Sequence, residues 1–489
     1  MWAHNNAAAA DEVAPVVVDD RKPRGCSGTW PWIAGLLRFL GPGGMIAVGY
    51  MDPGNWATDL QAGSQFQYAL LSAVLLSSIC AMLLQALAIR LGIVSGLDLP
   101  SMCRRHFSPT VNIVLYIAAE IAIVACDLAE VIGSALALNL LFGIPLAAGV
   151  LLTSFDILVI LAGFGPKHLR QFEFMIVALI SVVGICFAVM IGRASPSWPD
   201  IAVGLIPTSA LFANDALFVT LGIVGATVMP HNLYLHSHLV LYRYQSQSPL
   251  EMFGRIGASA PDVDDVSAPD AIRPAFHKSV IPRSIAFAQI DSCVALVFAF
   301  FVNAAILIVA AAALYNSGTV VDDIPGAYAI LTSQLGQWVG IVFAVALLCS
   351  GQSSTITATL AGQVVMQGFL GPSFRVPAWA RRLVSRGIAI VPALLTTMLG
   401  NDAQLNNLLV VSQVILSLQL PFAMWPLIYF TSRRYCMRVC FESSSDDDDD
   451  MVETKSFPNS PLVTVASAIV ALLITALNLL LVVTWVFRR

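Results

Sequence analysis

The 489-residue chain is 57% hydrophobic and only 11% charged, with a mean hydropathy of +0.79, whereas soluble domains carry about 25% charged residues. That composition excludes an ordinary soluble protein and describes an all-α polytopic membrane protein. The net charge of −5 says less than the placement of the charges, because membrane loops are sorted by Lys and Arg rather than by net sign.

Residues 1–37 are Ala-rich and polar, carry Arg21, Lys22 and Arg24, and lack the apolar core of a signal peptide, so a disordered cytoplasmic tail is predicted. With about 20 apolar residues needed per span, eleven spans are predicted. They lie near 38–57, 67–93, 111–136, 144–164, 171–192, 211–240, 286–315, 337–369, 384–400, 405–431 and 462–486, the fourth interrupted by Asp156. An odd count puts the two termini on opposite sides. With the N-terminus cytoplasmic, only Arg193, Arg488 and Arg489 of the 25 basic residues fall outside, as the positive-inside bias requires. The loop near 244–284 is rich in Ser, Pro, Asp and Ala, with Asp262, Asp264 and Asp265, and reads as flexible. A later cytoplasmic loop, 433–461, contains the run Asp446 to Asp450, which reads as solvated low-complexity sequence rather than a metal trap or a traffic signal. The nine cysteines show no paired spacing in an outer loop, so no structural disulfide is expected. Cys436 and Cys440 follow a span closely, and unmodified thiols are expected over palmitoylation. No Asn-x-Ser/Thr sequence occurs, so glycosylation offers no clue to compartment.

Asp52-Pro53-Gly54-Asn55 lies inside the first apolar run. An acidic side chain at mid-bilayer depth costs about 3 kcal/mol or more, so it is by default a functional residue. Pro53 and Gly54 interrupt the helix and free nearby carbonyls, which survive at membrane depth only where protein or a cavity surrounds them. Met229-Pro230-His231-Asn232 repeats this character in the sixth span. Two broken helices in corresponding places of two halves point to a transporter site at the midplane. Asp52 and Asn55, three apart, turn toward one point; Met229 adds a thioether, and the carbonyl of Ala226 lies one turn earlier. Hard oxygens suit Mg²⁺ or Ca²⁺, while a soft sulfur admits Mn²⁺, Fe²⁺, Co²⁺ or Cd²⁺. Against this stands the packing role of most methionines in membrane spans.

In the third span Glu120, Asp127 and Glu130 share one helical face. Three carboxyls on a buried face are not all ionised cheaply, which suits a proton route with Asp52 as the coupling residue. The competing reading pairs them with Arg381, Arg382 or Arg386 to lock helices together. His231 adjoins the second break and is assigned to protonation or helix movement rather than ligation, with His236 and His238 following it. The stretch Gly351 to Thr355 reads as close packing of small residues.

Gly49-Tyr50-Met51-Asp52-Pro53-Gly54-Asn55-Trp56-Ala57-Thr58-Asp59 and Gly225-Ala226-Thr227-Val228-Met229-Pro230-His231-Asn232 resemble the two signatures of the Nramp divalent-metal transporters. The likeness continues through Ala119 to Ala122, Cys126 to Gly133, Ser350 to Thr355, Ala361 to Gln363 and Ser412 to Phe422, and covers about residues 38–432. It implies the LeuT-type fold, with 38–192 and 193–432 as inverted five-helix repeats and 462–489 as an eleventh helix and C-terminus. It implies proton-coupled import of Mn²⁺ or Fe²⁺ with Asp52, Asn55, the Ala226 carbonyl and Met229 as ligands. Gln413 matches the family's additional ligand, and Gln85 matches a polar position near the site. No enzyme activity and no permanently bound cofactor are expected; the expected partners are the metal ions, protons and the bilayer, with no nucleic acid and no protein partner inferred. Gly43-Gly44 and Thr227 depart from the usual pattern, and the glycines are expected to loosen the first half-helix. Competing readings are a same-fold carrier of Mg²⁺ or an amino acid, a channel, or a metal sensor without turnover.

Overall fold

The computed structural model describes residues 41–153, 169–245, 280–315, 323–371, 378–399, 402–442 and 452–487. The predicted tail, most of the 244–284 loop, Asp156 and the Asp446 to Asp450 run lie outside them. The helices are α1 (Pro42–Gly49), α2 (Pro53–Phe66), α3 (Leu71–Ser95), α4 (Leu99–His106), α5 (Pro109–Phe142), α6 (Leu169–Ala194), α7 (Trp198–Gly204) and α8 (Asn214–Thr227). There follow α9 (Pro230–Gln245), α10 (Val280–Ala313), α11 (Ile324–Leu335), α12 (Gln337–Leu370), α13 (Ala378–Leu399) and α14 (Asp402–Ser432). The chain closes with the strands β1 (Arg438–Glu442) and β2 (Val452–Ser456) and then α15 (Pro461–Phe487).

Local sequence explains where several helices begin. Asp52, Asp98, Ser108 and Asp323 each accept a bond from the backbone N–H three residues on, and each is followed within two residues by a proline. A short polar acceptor satisfies an orphan donor, and the proline sits where its missing N–H costs nothing.

Eight helices among the described residues are long and apolar enough to cross a membrane, counting Ala216–Leu241 as one. The predicted first span is split into α1 and α2, each too short to cross alone. The ninth is represented by the shorter Leu383–Met398, and the fourth is helical over 146–153 before the described residues stop. Burial sorts the spans. The apolar windows of Pro109–Phe142 and Ala216–Leu241 are 83% and 94% buried, whereas those of Met175–Ala194 and Pro461–Thr484 are 28% and 22% buried. Hence α5, α8 and α9 form the centre, and α6 and α15 face the surroundings.

The short helices α4, α7 and α11 were not expected from hydropathy, and neither was the antiparallel ribbon β1–β2, which pairs Arg438 with Ser456 through Glu442 with Val452. Its strands flank the acidic run, whose charge dominated the reading of 433–461 as loop.

Candidate functional site at the two helix breaks

Between α1 and α2 the backbone leaves the helix at Tyr50 and Met51. The Tyr50 carbonyl accepts from Asn55 Nδ2 and, at 2.8 Å, from Asn303 Nδ2 on α10. The Met51 carbonyl accepts from Ser350 Oγ on α12. Side chains thus pin the break in place. Asp52 caps α2 through Oδ1, 2.8 Å from Asn55 N. Its Oδ2 is buried and no donor among the described residues reaches it; the same holds for Asn55 Oδ1 and, on α14, for Gln413 Oε1. Asp52, Asn55 and Gln413 are all at most 1% exposed. An acceptor buried without a partner costs about 1–3 kcal/mol, so three in one region demand an explanation.

Close packing brings them together. A Cβ on Gly54 would meet the Gln413 side-chain amide, and one on Gly225 would meet the Gln413 carbonyl. The absence of both lets α2 and α8 close on α14. Gly133 of α5 receives the Pro53 ring, and Gly49 faces the Asn232 amide. At the second break Val228 N still reaches the Val224 carbonyl at 2.8 Å. Residue 230 is proline, however, so the Ala226 carbonyl has no helical donor four residues on. Met229 is fully buried with Ala122, Ala125, Cys126, Ala358 and Leu416. The region therefore offers one carboxylate, two amide oxygens, one freed carbonyl and one thioether. Among the described residues no three of His, Cys, Asp and Glu converge on a point, which sets this donor set apart from a structural zinc site.

The third-span carboxyls lie on α5, and those of Glu120 and Glu130 meet arginines of α13. Arg381 Nη2 is 2.8 Å from both Glu120 oxygens, an ion pair whose Glu120 end is 24% exposed. Arg386 lies 3.7 Å from Glu130 and donates to the Asp127 carbonyl at 3.2 Å and to Thr355 Oγ1 at 3.0 Å. Asp127, Glu130 and Arg386 are at most 2% exposed. The geometry thus realises helix locking at Glu120 and Glu130 while keeping the carboxyls on one face; Glu130 is one turn before Gly133, which touches Pro53.

His231 is buried beside Pro230, and its Nδ1 has no partner among the described residues. His236 Nδ1 is 2.8 Å from Gln85 Oε1, and Gln85 Nε2 donates to the Tyr50 hydroxyl at 2.7 Å. Gln85 therefore links the second broken helix to the first. His238 Nδ1 lies 2.7 Å from Asp98 Oδ2. Burial would raise the Asp98 carboxyl, but bonding to and attraction by His238, together with Ser101, hold it below its ordinary value.

Gly43 corrects an expectation. Its N–H donates to Asp291 Oδ2 at 2.8 Å, and a Cβ there would come within 2.8 Å of Asp291 backbone atoms. It clamps α1 to α10 rather than loosening it, while Gly44 faces open space. Thr227 accepts from Ser77 Oγ at 3.3 Å. Cys436 is buried 4.0 Å from His106 Nε2, and burial raises its thiol above the ordinary range. The Cys440 side chain lies outside the described set.

Sequence reasoning did not single out Asn303, and it gave no role to Ser350 or Asp59. Asp59 is 2% exposed with an oxygen lacking a partner, and its seven-residue spacing from Asp52 was the available signal. Asn303 had none, because its partner is a backbone carbonyl 253 residues away.

Known proteins resemble this chain along its length. A divalent metal cation transporter MntH of Bradyrhizobium diazoefficiens is 46% identical over 92% of this chain and 89% of its own. Another, of Xanthomonas campestris pv. campestris, is 48% identical over 83% of this chain and 85% of its own. The crystal structure of the Eremococcus coleocola manganese transporter with an aromatic bis-isothiourea compound is 36% identical, with a TM-score of 0.75 over 94% of this chain and 88% of that one. Inward-facing Mhp1, 15% identical with a TM-score of 0.51 over 81% of this chain and 77% of that one, shares the fold alone. The fold is the LeuT type, with its first and sixth spans broken, in a multi-pass integral membrane protein. The model of the natural resistance-associated macrophage protein-like family matches residues 43–445, and this chain belongs to that family, Nramp.

Proposed function

We propose that the protein carries divalent transition metal ions, Mn²⁺ or Fe²⁺ foremost and Cd²⁺ or Co²⁺ with them, into the cytoplasm together with protons by alternating access. The observation that carries this reading is the group of buried oxygens without donors, Asp52 Oδ2, Asn55 Oδ1 and Gln413 Oε1, on segments that pack against one another at the two breaks. A cation supplies what all three lack. Met229 and the Ala226 carbonyl complete the set. One thioether among oxygens disfavours Mg²⁺ and Ca²⁺ relative to more polarisable ions. The metal is cargo, and no resident cofactor is invoked. The names of the relatives, divalent metal cation and manganese transporters, support the same substrate class.

For coupling, dication binding favours ionised Asp52 and expels its proton. Glu130 and Asp127 on the adjoining face of α5 are the proposed acceptors. Arg386 beside Glu130 tunes the acceptor, Glu120 with Arg381 lies farther along the same face, and His231 assists at the second break.

The test is Mn²⁺ uptake by proteoliposomes with and without an inward proton gradient, against excess Mg²⁺. Saturable uptake that the gradient drives and Mg²⁺ barely inhibits is expected. Strong Mg²⁺ inhibition without proton dependence would refute both the selectivity and the coupling.

A further inference from the structure

Outside the transport site, guanidinium groups and aromatic rings gather where α4 meets the end of α14. The His106 ring is 5.3 Å from that of Phe430 and 6.2 Å from that of Tyr435. The hydroxyls of Tyr429 and Tyr435 are 2.9 Å apart, and the Arg433 guanidinium stands 5.2 Å from the centre of the Tyr429 ring. Arg105 directly precedes His106 at the end of α4, and His106 Nε2 lies 4.0 Å from the buried Cys436 thiol. Arg105, Arg433 and Arg434 are exposed, and among the described residues no carboxylate pairs with any of them.

The depth of this patch is set by the chain. Ser432 ends α14, so Arg433 and Arg434 stand at the mouth of a span. Phe422, Trp425 and Tyr429, each 36–41% exposed, form a stripe at helical spacing leading up to it. Trp425 Nε1 donates to Thr475 Oγ1 of α15 at 3.3 Å, so the stripe borders the α14–α15 seam. Amphipathic rings at a span end and basic groups just beyond it match the chemistry of the membrane interface. The distribution of basic residues assigns this face to the cytoplasm, whose leaflet carries the anionic lipids.

We propose that Arg105, His106, Tyr429, Arg433, Arg434 and Tyr435 bind the phosphodiester headgroup of an anionic phospholipid, with its acyl chains along the α14–α15 seam. Guanidinium groups give forked, charge-assisted bonds to phosphate oxygens, and the Tyr429–Tyr435 hydroxyl pair leaves one O–H as a neutral donor. Tyr429 of this site lies on the helix that carries Gln413, 16 residues or about 24 Å away along its axis, so an occupant bears on the position of that helix. The inference stands apart from the transport reading, because its test reads lipid binding and not flux.

The experiment measures quenching of tryptophan fluorescence in the full-length detergent-solubilised protein by phosphatidylglycerol with brominated acyl chains, against brominated phosphatidylcholine. Phosphatidylglycerol is expected to bind at least about tenfold more tightly. Each arginine contributes about fivefold, so R433Q/R434Q should weaken binding about 25-fold, while R433K/R434K keeps most of it and shows that the chain still folds. Millimolar inorganic phosphate should not compete. Equal binding of the two lipids, or full binding by the glutamine variant, would overturn the proposal. Competition by inorganic phosphate would assign the patch to a soluble anion. Binding that appears only after Asp446 to Asp450 are changed to Asn would assign it to that acidic run.

Discussion

Gly225→Ala isolates the contact on which the site's assembly depends, and Gly44→Ala is its internal control. A Cβ at Gly225 runs into the Gln413 carbonyl oxygen, with Ser417 N at 2.7 Å and Gln413 C at 3.0 Å. All three are backbone atoms of α14, so no side chain can swing away, and α8 and α14 must separate by about an ångström. Overpacking of this kind costs about 1–3 kcal/mol. At Gly44 an added Cβ meets nothing within 4 Å, and replacing a helical glycine returns about 0.5–1 kcal/mol. The two variants should therefore differ in stability by about 1.5–4 kcal/mol although each adds one methyl group. Thermal unfolding in detergent should place Gly225→Ala well below Gly44→Ala. Mn²⁺ uptake should show a raised KM only in the former, because separation moves Gln413 away from the Ala226 carbonyl. Equal unfolding temperatures and equal uptake would refute the close approach of α8 to α14.

The other expectations concern charge and ligands. Asp52→Ala should abolish Mn²⁺ uptake in proteoliposomes, and normal flux would remove Asp52 from the site. Met229→Ala should increase inhibition of Mn²⁺ uptake by Ca²⁺ more than it slows Mn²⁺ uptake alone; unchanged competition would make Met229 a packing residue. Arg386→Gln leaves Glu130 and its neighbours without their buried cation and should cost about 3–5 kcal/mol. The more exposed Arg381–Glu120 pair should cost less, so in thermal unfolding Arg381→Gln should be the milder variant. Asp98 titrates below its ordinary value, so its stabilisation is fully present above the unfolded carboxylate value of about 3.9. It is lost as pH falls from there through the lower folded value. Wild-type unfolding temperature should drop across that window more steeply than that of Asp98→Asn, and parallel curves would contradict the Asp98–His238 bond.

Much of this architecture was legible because membrane physics restricts the alternatives. An Asp-Pro-Gly-Asn inside an apolar run has few structural uses, and α1 and α2 part at that point. The face shared by Glu120, Asp127 and Glu130 followed from helical spacing. Which arginine meets which carboxyl did not, because the partners lie 261 residues apart for Glu120 and Arg381 and both readings of the face satisfied the sequence. Gln413 was legible only through family likeness: nothing local marks one glutamine of α14 as the residue against Gly54 and Gly225. Gly43 was misread because a glycine that loosens a helix and one that lets another backbone approach look alike until Asp291 is placed beside it. The β1–β2 ribbon was hidden by the acids between its strands.

The central claim is that a transition metal ion binds between the two breaks. The most direct test is anomalous diffraction from crystals of the protein soaked in Mn²⁺. A principal peak in contact with Asp52, Asn55 and Met229, absent from Asp52→Ala crystals, is the result this account predicts. A peak elsewhere, with none at the breaks in a protein that still takes up Mn²⁺, would contradict it.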